Sequence, residues 1–204
     1  MMEINQLAEA FHQNAVDHGF WDEPVPAEQA IALIHAEWSE ALEEHRAGRP
    51  LVYCTNPDCG ILAKRETSEE VCCRVCGFRD GKAKPEGVAM ELIDGCIRIL
   101  DYIGSIPEAY RREFIKEQCH MEWCMELFDD ACHWALPTLI AKLHAQTSLA
   151  YTNFVGNYPA IMHLLIAAGM ALAWIKARGL DPETLMMAKH NYNKTRPRKH
   201  GKAY

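Results

Sequence analysis

Apolar residues recur at helical spacing through most of this chain. Ile4, Leu7, Ala8, Phe11 and Ala15 share one face of a helix predicted over 3–18, which Gly19 ends. In IALIHAEWSEALEEHR, residues 31–46, Ile31, Ile34, Trp38 and Leu42 form a second stripe. That segment is rich in Ala, Leu and Glu and so predicts a helix. Its acidic residues Glu37, Glu40 and Glu44 keep the same spacing on another face. Residues 90–103, MELIDGCIRILDYI, are apolar nearly all round, which predicts burial. One stripe breaks that pattern: Glu91, Asp94, Arg98 and Asp101. Helical periodicity returns over 107–177, so the expected fold class is all-α, a helical bundle.

The two acidic stripes carry the candidate chemistry. A buried carboxylate is costly unless it is paired or bound to a metal. Glu37 and Glu40 facing Glu91 and Asp94 would make an all-oxygen site suited to Mg²⁺ or Mn²⁺. Mg²⁺ takes only one or two protein carboxylates per ion, so four carboxylates imply at least two ions.

Residues 51–86 interrupt the helical pattern. Cys54-Thr-Asn-Pro-Asp-Cys59-Gly60 and Cys73-Arg-Val-Cys76-Gly77 are two cysteine pairs, each closed by glycine. Such paired knuckles hold Zn²⁺ through four thiolates, here Cys54, Cys59, Cys73 and Cys76, with no open coordination position. The expected site is therefore structural, a zinc ribbon inserted between the two acidic helices. Cys72 is the alternative to Cys73, and a set of free thiols is the alternative to zinc.

E-x-x-E on one helix and E-x-x-D on the next resemble the MazG-like, all-α nucleoside triphosphate pyrophosphohydrolases. INQLAEAFHQNAVDHGFWDEP near the start is similar to the first helix and aromatic turn of small members. KHNYNKTRPRKHGKAY at the end is similar to their closing Lys/Asn/Arg segment. The resemblance covers 1–50, 85–105 and 178–204. It implies a Mg²⁺-dependent enzyme that converts a nucleoside triphosphate, in particular a deoxynucleotide, to the monophosphate and pyrophosphate. Glu37, Glu40, Glu91 and Asp94 would then be the catalytic metal ligands, and Lys189, Asn193, Lys194 and Arg196 would hold phosphates. Phe20, Trp21 or Trp38 would face the base; packing of the aromatic turn onto the bundle is the other reading. Two departures are visible. Ala36 stands where the family often has a second Glu, and 50 residues separate Glu40 from Glu91. The inserted ribbon accounts for the second.

A weaker internal similarity spans the chain. Ile34–Ala41 align with Leu143–Ala150 at an offset of 109, and Met90–Ile103 with Met162–Ile175 at an offset of 72. The offsets differ by 37, close to the length of the cysteine-rich insert. A fused, degenerate tandem repeat, a pseudo-dimer, follows from this alignment; chance similarity of amphipathic helices is its rival. In the second copy Glu37, Glu40, Glu91 and Asp94 become Gln146, Leu149, His163 and Ile166, so it would hold no catalytic metal. The expected organisation is a first repeat in 1–50 and 86–106, the ribbon in 51–85, a second repeat in 107–190 and a basic tail in 191–204.

Composition narrows the function classes. The net charge of −7 argues against nucleic acid as the main partner. Residues 191–204 carry five Lys/Arg and no acid, a tail suited to phosphates or to the chain's own acidic site. The longest apolar run, Ile161–Ile175, is 15 residues and contains His163, too short for a bilayer. The N-terminus has no signal-peptide pattern, and the nine cysteines are not spread like a secreted disulfide framework. A reducing cytoplasm is the expected location, and a homo-oligomer is compatible with it. Two rival functions stand beside hydrolysis. One is a zinc-ribbon adaptor with a non-catalytic bundle, against which two carboxylate-bearing buried helices speak. The other is a di-iron bundle, which needs E-x-x-H on two helices. Glu9/His12 and Glu117/His120 have that spacing, at about the frequency chance supplies.

Overall fold

The computed structural model describes residues 3–55, 84–115, 125–154 and 159–201. It is helical almost throughout, as expected for the all-α class. Ile4, Leu7, Ala8 and Phe11 are the buried stripe of α1 (Ile4–Asp17). Gly19, at φ 78°, closes this helix with the paired bonds Gly19 N–H to Val16 O and Phe20 N–H to Ala15 O. That reversal sends the aromatic turn back toward the bundle. Next come α2 (Ala27–Arg46) and α3 (Val88–Ser105), the two acidic helices. Between them a short antiparallel ribbon pairs β1 (Tyr53–Cys54) with β2 (Pro85–Glu86), Tyr53 opposite Glu86 and Cys54 opposite Pro85. The cysteine-rich insert leaves and re-enters the bundle through this ribbon. Cys59, Cys72, Cys73 and Cys76 lie outside the described residues; Cys54 is half-buried in β1.

A short α4 (Glu108–Phe114) and a 3-10 turn (Asp129–His133) lead to α5 (Leu136–Phe154), α6 (Pro159–Lys176) and α7 (Pro182–Lys194). Asp181 caps α7 by accepting from Thr184 N–H, with Pro182 at the first helical position. α2 and α3 form one hairpin, α5 and α6 another, and the hairpins pack as α2 on α5 and α3 on α6. α1 and α7 both pack on α3, and no described helix is long and apolar enough to cross a membrane.

The contacts between the hairpins follow one register. His35 and His144, 109 residues apart, stack with ring centroids 4.9 Å apart and share an Nδ1–Nδ1 hydrogen bond of 2.7 Å. Trp38 Nε1 donates to Thr147 Oγ1 at 3.0 Å across the same separation. Between α3 and α6, Cys96 Sγ meets Ala168 O at a separation of 72. These are the two offsets of the internal alignment. Each of these positions faces its own aligned counterpart. The histidine bond requires one ring to donate and the other to accept, so the accepting ring is neutral. Burial lowers the pKa of each, helped at His35 by His144.

Trp38 departs from expectation. It is fully buried, its ring lies against Gly95 of α3, and it does not line the acidic pocket described below. Its stripe on α2 points into the hairpin interface, and its indole N–H is satisfied there by Thr147. A Cβ added at Gly95 would lie 2.2 Å from the Trp38 ring. Alanine normally gains about 1 kcal/mol over glycine inside a helix; here the overlap outweighs that gain. Gly95→Ala should cost about 1–3 kcal/mol, read as a lower urea midpoint at unchanged m-value. A stabilised variant would show that the α2–α3 contact is looser than described.

Candidate functional site

The site is built on the facing sides of α2 and α3. Glu37 and Glu40 stand about one turn apart on α2, and Glu91 stands in the first turn of α3. The helix N-terminus there favours a carboxylate. One ligand atom from each of Glu37, Glu40 and Glu91 comes within 4.8 Å of the others. Glu37 and Glu91 are only 6% and 7% exposed, while Glu40 is open to solvent. Asp94 does not join the three. It is turned to the Lys189 ammonium of α7, 2.6 Å from Oδ2. Glu37 is met in turn by the Arg98 guanidinium, one turn beyond Asp94 along α3. The four carboxylates expected from the spacing are thus a cluster of three plus one that is ion-paired.

Burial sets their electrostatics. It raises the Glu91 pKa to about 8, with Asp94 adding to the effect and Lys189 opposing it. Glu37 is raised as well, by burial first, with Arg98 opposing. Burial pulls Lys189 toward its neutral form, but Asp94 and Glu91 outweigh it and hold the ammonium charged. Two carboxylates that resist losing their protons, set beside a third, form a donor set that a hard divalent cation would satisfy. Glu37, Glu40 and Glu91 could hold it.

The cluster is one wall of a pocket of about 250 Å³. Cations line it as well: Lys84, Arg98, Lys189 and Arg196. So do Phe11, Phe20, Trp21 and Tyr102, with the amides of Asn14 and Gln29. Trp21 is fixed there by donating Nε1–H to Asp101 Oδ1 at 2.9 Å, and the same oxygen is 2.9 Å from His12 Nδ1. The Asp101 pKa is raised by burial, against the pull of His12. Asn193 also lines the pocket; its Oδ1 is buried and has no hydrogen-bond partner among the described residues.

Of the residues singled out in the sequence, Phe20, Trp21, Glu37, Glu40, Glu91, Asp94, Lys189, Asn193 and Arg196 line this one pocket. Lys194 does not. It is exposed, about 100° around α7 from Asn193, whereas Lys189 and Asn193 are one turn apart. Arg98, Lys84 and Asp101 were not assigned to the site by sequence. Arg98 and Asp101 stood in the polar stripe of α3, which was the available signal. Lys84 had none, because its place depends on the ribbon.

The fold and this site define an all-α bundle with a carboxylate cluster in a partly aromatic pocket. No family model, curated protein or solved structure matches the chain.

The raised pKa of Glu91 has a pH consequence with a definite sign. The folded, metal-free chain keeps a proton on Glu91 that the unfolded chain loses near the ordinary 4.5. The associated stability is whole below that value and is lost as pH rises to about 8. Mn²⁺ requires the deprotonated carboxylate. It should therefore raise the melting temperature more at pH 8 than at pH 6, and Glu91→Gln should flatten that difference. A Mn²⁺-induced shift independent of pH would remove Glu91 from the ligand set.

Proposed function

We propose that this protein is a Mg²⁺- or Mn²⁺-dependent nucleoside triphosphate pyrophosphohydrolase of the MazG-like type. The carrying observation is the convergence of Glu37, Glu40 and Glu91 in the same pocket as four cationic and four aromatic side chains. That is the donor arrangement a metal-bound triphosphate with a stacked base would need. When bound, the metal would supply charge neutralisation and an activated water.

The chain's own groups divide the remaining work. Arg196 and Lys84 place positive charge beside the carboxylates, where a polyphosphate chain would otherwise be repelled. Asn193 offers an unsatisfied acceptor for a hydroxyl or amide donor of the ligand. Phe20 and Trp21 present ring surface, and the Asp101 bond fixes the indole so that little side-chain freedom is lost on stacking. Glu40, the exposed member of the cluster, is the one placed to meet water at the mouth.

A fused tandem repeat is the architecture we infer for this bundle. Two positions that meet their own counterparts at separations of 109, and one at 72, are what an axis interchanging the hairpins would produce. Shifting α2 by 109 and α3 by 72 also reproduces the spans of α5 and α6 to within one residue. In the second hairpin Gln146 and His163, the counterparts of Glu37 and Glu91, hydrogen-bond to each other at 2.7 Å. That pair contains no carboxylate, so one catalytic cluster among the described residues follows.

Incubation with the common nucleoside triphosphates should release pyrophosphate from at least one of them. In ¹⁸O-labelled water the label should enter the monophosphate; label in orthophosphate instead would mean γ-phosphate removal and would overturn the reading. Glu91→Ala should abolish turnover with the helical circular dichroism unchanged.

The insert we read as a structural zinc ribbon held by Cys54, Cys59, Cys73 and Cys76. Its support is the knuckle spacing, together with the antiparallel β1–β2 pairing, which brings the two ends of the insert side by side. Protein purified without chelator should contain one Zn²⁺ per chain, and Cys72→Ser should retain it. Zinc lost from that variant would transfer the ligand to Cys72.

A further inference from the structure

We propose that Lys189 is a positioning residue, a built-in cation that keeps Asp94 out of the glutamate cluster and ties the root of the cysteine-rich insert to that cluster. The inference rests on the metal reading of Glu37, Glu40 and Glu91.

Lys189 is 2% exposed and among the largest fully buried side chains of the chain. Its ammonium has two acceptors from different elements: Asp94 Oδ2 of α3 at 2.6 Å and the Pro85 carbonyl of β2 at 3.4 Å. A lysine that reaches phosphate in solvent keeps its head at the surface. This one is buried together with its counter-ion, and withdrawing it would leave the half-buried Asp94 without its partner. The sequence spacing of Asp94 relative to Glu91 fits a shared metal site. What diverts Asp94 is this cation, delivered from a helix 95 residues further along the chain.

The same ammonium reaches the insert. Pro85 is the first residue of the return strand, and a proline carbonyl is free to accept because the ring removes only the N–H. The next residue, Glu86, pairs with Lys84. The return strand therefore touches the acidic pocket at Lys189 and, through Lys84, at its lining. The root of the insert is a structural part of the site.

Two consequences follow for a divalent cation. Lys189 places a like charge next to the cluster and weakens cation binding. Removing it also frees Asp94 to act as a fourth carboxylate. Both effects have the same sign.

The full-length chain should be titrated with Mn²⁺ in the absence of nucleotide, with free Mn²⁺ followed by electron paramagnetic resonance. Lys189→Met and Lys189→Gln should each bind Mn²⁺ about tenfold more tightly than the wild type, the scale of removing one neighbouring like charge. Asp94→Asn added to Lys189→Met should take back most of that gain. A merely structural lysine would loosen the site when lost, so unchanged or weaker binding in both variants overturns the proposal. Should the variants fold only in the presence of Mn²⁺, one cation has replaced the other, as expected; failure to fold with or without it counts against the proposal. Wild-type protein that binds no Mn²⁺ at all would instead overturn the metal reading itself.

Discussion

Negative charge buried between two helices is the constraint on which the site depends. Glu37 and Glu91 are almost fully enclosed by α2, α3 and their neighbours. Isolated ionised carboxylates do not persist in such surroundings; they take up a proton, find a cation, or bind a metal. All three responses are present or prepared here. Glu91 is pushed toward its protonated form, Arg98 meets Glu37, Lys189 meets Asp94, and the three glutamates stand close enough to share an ion. α7 brings Lys189 onto α3, where it neutralises a charge the bundle would otherwise have to exclude.

On α5 and α6, the positions that the offsets of 109 and 72 align with Glu37 and Glu91 carry no carboxylate. Gln146 and His163 satisfy each other. Met170, the counterpart of Arg98 at the offset of 72, is a buried apolar side chain. Carboxylate and counter-charge are thus absent together. A buried arginine without its glutamate would be as unfavourable as a buried glutamate without its arginine. The interface between the hairpins is made by other groups: the stacked rings of His35 and His144, the Trp38 indole donating to Thr147, and Cys96 against Ala168.

Helical periodicity made the bundle legible in the sequence. Each stripe of apolar residues states which face of its own helix is covered, and the buried residues of α1, α2 and α3 follow those stripes, with Ala15 and Leu42 at their edges only half-buried. The two alignment offsets, taken from residue identities alone, reappear as the separations across the hairpin interface. That Glu37 shares a face with Glu40, and Glu91 with Asp94, was legible for the same reason, since residues three or four apart on a helix share a face; that Glu91 joins the pair on α2 while Asp94 does not was not.

What the sequence alone determined, then, is which side chains lie on which face: the apolar stripes, the acidic stripes on α2 and α3, and the cysteine knuckles between them. The tertiary structure decided what each face meets. It placed Trp38 against Gly95 and Thr147 in the core, directed Asp94 to Lys189, turned Lys194 away from the pocket and brought Lys84 and Arg98 into it. Periodicity is a local property, fixed by a few dihedral angles per turn. The partner of a buried charge is not: Asp94 and Lys189 meet only because α7 folds back over α3, and no window of sequence contains both.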